Sequence, residues 1–178
     1  MPPKAKTPRL TAREQQLEFM ETLAAAITQW QPVEMSLFGV FSALLGPAHY
    51  AIASAAFHAI INFNTRLAVV DAAAHVALAG KPELAEWTTL HNRMNKRSKK
   101  RNELVHFMIL WQDGEEGEET PIALLRPSIF DINADPNRAY DVKQIGEIRA
   151  SFGVLAHDLG QFAGRLRIAP APSPDKSP

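Results

Sequence analysis

A chain of 178 residues, 46% of them apolar, is long enough for one well-packed domain and short for two. Its 19 basic residues balance 19 acidic ones, so no whole-molecule charge draws it to nucleic acid and any electrostatic footprint must be local. Cysteine is absent, which excludes disulfides, zinc–thiolate centres and thiol nucleophiles and suits a cytoplasmic setting.

The opening MPPKAKTPRL is basic and proline-rich. It reads as a disordered arm and lacks the apolar stretch of a signal peptide. Thr11 to Glu14 then spells a capping box, in which the threonine hydroxyl accepts from the backbone and the glutamate reaches back. Leu17, Met20, Leu23, Ala24 and Ile27 follow at helical spacing up to Trp30. Pro32 suits the first turn of a second helix, which carries Leu37, Val40, Phe41 and Leu44 and stops at Gly46-Pro47. A third helix is predicted over about Tyr50 to Ala79, ended by Gly80. It is rich in alanine and poor in charge, so most of its circumference is expected to be buried. His58, Asn62, Asn64, Arg66 and Asp71 interrupt its apolar run, which marks a core helix and not a membrane span.

A fourth helix begins at Pro82 with Leu84, Trp87, Leu90 and Met94 as its inward stripe. It either continues through Ser98 or yields there to a fresh helix that Ser98 caps. Phe107 to Trp111 and Ile122 to Arg126 are short apolar segments around the acidic, glycine-bearing loop QDGEEGEET, the pattern of a β-hairpin. Pro127 and Pro136 keep the next stretch irregular. A last helix over about Asp141 to Arg167 places Ile145, Ile148, Phe152, Leu155, Leu159, Phe162 and Leu166 on one side. The final ten residues read as a disordered tail. The expected fold is mainly α: one domain over residues 11–168, a bundle of about five helices with a small hairpin inserted before the last.

Charge is concentrated in two places. Arg93, Lys96, Arg97, Lys99, Lys100 and Arg101 contain no acid among them, and balancing acids crowd Asp113 to Glu119. A basic run of this kind is either a solvated helix face or a phosphate-binding surface. It leads directly into Arg101-Asn102-Glu103-Leu104-Val105-His106. At about 100° per residue, Asn102 and His106 lie roughly 40° apart on one helix face. Arg101 starts roughly 140° away, with a side chain long enough to swing toward them. An imidazole there suits proton transfer to or from a ribose hydroxyl, and a guanidinium suits a scissile phosphate and its transition-state charge. Neither role requires a metal or another cofactor.

The Arg101-Asn102-x-x-x-His106 segment, late in a helical domain of this size, resembles the signature of the HEPN superfamily. That signature is an arginine, usually with a polar neighbour, followed after four to six residues by a histidine. The resemblance implies a helical bundle that forms a homodimer, setting two motifs across one basic cleft. It also implies a metal-independent endoribonuclease, often a toxin or defence effector held by an antitoxin or other protein partner. The alternative within the family is an inert module that binds RNA or protein. Arg101, Asn102 and His106 are the catalytic residues so implied; Arg93, Lys96, Arg97, Lys99 and Lys100 are the candidate RNA contacts. Phe107 follows the histidine where many relatives have a small residue.

Other sites have less support. No pair among His49, His58, His75, His91 and His157 stands at metal-ligand helical spacing with a carboxylate partner. His58 and His75 read as core or helix-contact histidines, and His157-Asp158 as a polar helix edge. Ser54, Ser98 and Ser151 lack a nucleophile elbow. Asn62, Asn64, Arg66 and Asp71 either line a cleft facing the motif or pair among themselves.

Overall fold

The structure, a computed structural model, describes residues 11–112, 122–127, 135 and 138–168. The predicted basic arm, the acidic residues 113–119, Pro136 and the proline-rich tail lie outside them. In order along the chain come α1 (Ala12–Thr28), α2 (Trp30–Leu45), a 3-10 turn (Pro47–His49), α3 (Tyr50–Ala59), α4 (Phe63–Ala77), α5 (Glu83–His106), β1 (Met108–Gln112), β2 (Ile122–Arg126) and α6 (Val142–Ile168). The chain is mainly α, a helical bundle with an antiparallel hairpin before the last helix. By contact it divides into two compact units, residues 11–29 with 99–150, and residues 30–98 with 151–168.

In the first unit the capping box forms as predicted. The Thr11 amide donates to the Glu14 carboxylate at 2.7 Å, and the Glu14 amide donates to the Thr11 hydroxyl at 3.3 Å. The amide bond from Thr11 holds the Glu14 carboxyl below its ordinary pKa. The buried line of α1 is Phe19, Leu23 and Ala26, whereas Leu17 and Met20 of the predicted stripe are exposed. Two adjacent apolar lines share this helix, and the one carrying the largest side chain is buried. The Phe19 ring meets Trp111 of β1 edge-on at 5.9 Å. The hairpin pairs Met108 with Arg126 and Leu110 with Leu124. Tyr140 adds one bridge to Leu125, with backbone bonds of 3.0 and 2.9 Å. A second capping box, between Asp141 and Gln144, starts α6.

In the second unit the predicted third helix is two helices. Ile60 is extended, and the Asn62 side chain accepts from the amides of Asn64 and Thr65, opening α4 with an N-cap. Arg66 fixes the break. Its Nε donates to the Ile60 carbonyl at 2.6 Å and its Nη1 pairs with Glu34 at 2.9 Å. Asp71 accepts from the Trp87 indole at 2.8 Å and lies 3.5 Å from His75. These polar residues are therefore engaged locally, and Asn64 is exposed.

Burial along α3 and α4 is also narrower than expected. Ala53, Phe57, Leu67, Val70 and Ala74 are buried, while Val76 is 82% exposed. His58 and His75 are exposed, so of the two readings, core or helix contact, burial in the core does not apply. His58 lies against the Phe38 and Phe57 rings, and His75 holds the Asp71 carbonyl at 2.9 Å. Replacing Asn62 with alanine removes the cap and is expected to cost about 1 kcal/mol in chemical denaturation.

Trp30 of α2 packs edge-on against Phe63 and Phe152, at 4.9 and 5.1 Å. Val33, Leu37, Val40 and Phe41 continue its buried stripe. On α5, Trp87, Leu90 and Met94 are buried as predicted. That helix runs unbroken through Ser98, whose hydroxyl bonds its own helix at the Asn95 carbonyl, 3.0 Å away. On α6, Phe152, Leu155, Leu159 and Phe162 line the inner side. Among the described residues no single helix is long and apolar enough to cross a membrane.

Candidate functional site

The last two turns of α5 carry the motif. Lys99, Asn102 and His106 follow one another at spacings of three and four residues, so they share one helix face; all three are exposed. Arg101 begins on another side and is half-buried. Its Nη1 nevertheless donates to the Asn102 Oδ1 at 3.2 Å. A guanidinium, an amide and an imidazole thus stand within two turns. His106 makes no hydrogen bond or ion pair among the described residues.

Glu103 lies within the motif, two residues after Arg101 and three before His106. At that spacing a carboxylate could neutralise His106. It is committed elsewhere. Its oxygens accept from the Tyr140 hydroxyl, from Arg138 at 2.7 Å and from Lys100 at 3.3 Å. Tyr140 in turn accepts from Lys100 at 2.6 Å and from Arg138 Nε at 3.2 Å, and Lys100 stands over its ring at 5.0 Å. The bond to Tyr140 raises the Arg138 pKa further above its ordinary value. Phe107 stacks on Tyr140 at 5.9 Å. Because Tyr140 also bridges to β2, this cluster anchors the motif's turn to the hairpin.

The sequence reading did not find Glu103, Arg138 and Tyr140. Nothing in local spacing pairs residue 103 with residue 140, and only the chain's return through the hairpin does so. Alanine at Glu103 would leave the Tyr140 hydroxyl proton without its acceptor and two cations without their carboxylate, though both still donate to the Tyr140 oxygen. A fully buried pair broken this way costs about 3–5 kcal/mol. The Arg138 and Lys100 side chains are 43% and 30% exposed, and water replaces part of what they lose. Glu103→Ala is therefore expected to cost about 2 kcal/mol by chemical denaturation, and Glu103→Gln less, because the amide oxygen still accepts.

The candidate RNA contacts divide. Lys96 and Lys99 are exposed and Arg97 is half-buried, none with an ion-pair partner among the described residues. Arg93 pairs with Asp158 at 2.7 Å, and the Lys100 amine is held by Glu103 and Tyr140. Arg126, opposite Met108 in the hairpin, buries an Nε that has no partner among the described residues. No group of three or more histidines and acids among the described residues could hold a metal ion. His157 is exposed at the edge of α6.

Comparison with protein-family models, with curated proteins and with solved structures finds no match for the chain.

Proposed function

We propose that the chain is a metal-independent endoribonuclease of the HEPN type, cutting RNA at a cleft that a second copy completes. The observation that carries this reading is the state of the motif. The Arg101 guanidinium is drawn to Asn102, the exposed His106 imidazole is unbonded among the described residues, and the intervening acid is turned away into the Tyr140 cluster.

In the proposed reaction the ribose 2′-oxygen attacks phosphorus and the bond to the 5′-oxygen breaks, leaving a 2′,3′-cyclic phosphate and a 5′-hydroxyl. His106 takes the 2′-hydroxyl proton or supplies one to the leaving 5′-oxygen, and a second copy's imidazole performs the other transfer. Arg101 holds the phosphate and its added transition-state charge, with Asn102 orienting the guanidinium. Lys96, Arg97 and Lys99 contact flanking phosphates, and Arg93 joins them where Asp158 yields it. Such an enzyme acts on cytoplasmic RNA as a toxin or defence effector, and a protein antitoxin is the partner class that would restrain it.

RNA incubated with the purified chain in chelator should be cut to cyclic-phosphate and 5′-hydroxyl ends. Arg101→Ala should lower the rate about a hundredfold. Uncut RNA overturns the catalytic assignment, as does cleavage unchanged in Arg101→Ala. Lys96, Arg97 and Lys99, without ion-pair partners among the described residues, also favour a second reading, an inert RNA-binding dimer. It predicts salt-sensitive binding without turnover, lost when these three are neutralised.

A further inference from the structure

The second unit contains a cavity of ≈ 860 Å³ where α2, α4 and α6 end. Two chain turns lie beside it. Gly46, after α2, has φ +83°, and Gly80, after α4, has φ +73°. A Cβ would meet nothing within 4 Å at either position, so glycine is required by the backbone conformation alone. Each turn carries the chain off its helix axis.

The volume falls within the roughly 300–1,000 Å³ of small-molecule sites. Leu44, Leu78 and Leu166 give it an apolar wall. Ser42 lines it too and is only 5% exposed. The Ser42 hydroxyl has no hydrogen-bond partner among the described residues. The Ser36 hydroxyl, earlier on α2, is by contrast bonded to the Ala156 carbonyl at 3.0 Å. The Ser42 hydroxyl is not shut away from solvent, since Arg126 Nε is the fully buried unpaired side-chain polar atom among the described residues, so it is a donor and acceptor open to a polar group that the cavity receives. The charges indicate its sign. Among the described residues Lys81 and Arg167 line the cavity against one acid, Glu83, and neither cation has an ion-pair partner among them. Lys81 donates to the Ala77 carbonyl at the end of α4, 2.9 Å away, and no carboxylate among the described residues is paired with it.

We propose that this cavity binds an amphipathic monoanion, an alkyl carboxylate, with its chain against the leucines and its head on Arg167, Lys81 and the Ser42 hydroxyl. None of the motif residues lines the cavity, so the assignment stands or falls independently of RNA cleavage.

Titration calorimetry on the full chain with decanoate, kept below its micelle-forming concentration, should show saturable one-to-one binding. Decylamine, with the same apolar length and opposite charge, should bind at least tenfold more weakly. Arg167→Glu at the exposed rim and Ser42→Ala should each weaken decanoate about tenfold, with the unfolding midpoint of the free protein retained. Equal affinity for the amine, or binding untouched by both substitutions, overturns the proposal. So does the absence of binding. Binding that appears only in a chain ending at Ile168 also overturns it, because the occupant is then the protein's own C-terminal tail.

Discussion

His106→Ala is expected to lower RNA cleavage by about 10²–10⁴-fold, the range of a positioned acid–base group, and to leave the unfolding midpoint where it is. The second half of that expectation comes from the structure. His106 is exposed, ends α5, and makes no hydrogen bond or ion pair among the described residues, so truncating it leaves no cavity and no orphaned partner. A rate loss without a stability loss is the signature of a group that acts on substrate. His106→Gln should not recover the rate, because an amide hydrogen-bonds without transferring a proton at neutral pH. Alanine at His157, also exposed on a helix, serves as the control and should leave cleavage unaltered. Initial rates on a labelled RNA, read beside thermal melts, decide the matter; a rate within threefold of the parent would remove His106 from the mechanism.

Trp87→Ala is expected to cost about 4 kcal/mol, within the 3–5 kcal/mol typical of emptying a buried aromatic site. Trp87 is 0% exposed, stacks on Phe162 at 6.2 Å and donates its indole N–H to Asp71 at 2.8 Å. Alanine loses the packing, opens a void and removes the donor from a part-buried carboxylate. Against a usual total of roughly 5–15 kcal/mol, this single change takes a large share. Trp87→Phe separates the components, since it keeps a ring and loses the donor, and about 1–2 kcal/mol is expected. Guanidinium denaturation with unchanged slope gives both numbers. A cost below 2 kcal/mol for Trp87→Ala would contradict the central packing of this residue.

Much of the fold is written in local patterns. The Thr11–Glu14 box, the Gly46 and Gly80 turns, the Trp87–Leu90–Met94 stripe and the two hairpin strands each depend on residues within a few positions of one another, and each forms as its pattern predicts. The errors have a common origin. On α1 periodicity offers two adjacent apolar lines, and Phe19 wins because the hairpin brings Trp111 to it. Between α3 and α4 the apolar run continues without pause, and Asn62 reads as an intrusion until Glu34 and Arg66 fix the chain around it.

The Arg101–His106 segment shows the same division within six residues. By itself the sequence determined that Asn102 and His106 share a face, because helical geometry alone sets their angle. It determined also that Arg101 can reach them and that a run of cations leads into the pair. Only the tertiary structure decided what becomes of Glu103. A carboxylate at that position is free to neutralise the histidine beside it or to turn away. Tyr140 and Arg138, thirty-five or more residues later in the chain, draw it aside. That choice depends on a contact made after a hairpin has reversed the chain, and no local spacing records it.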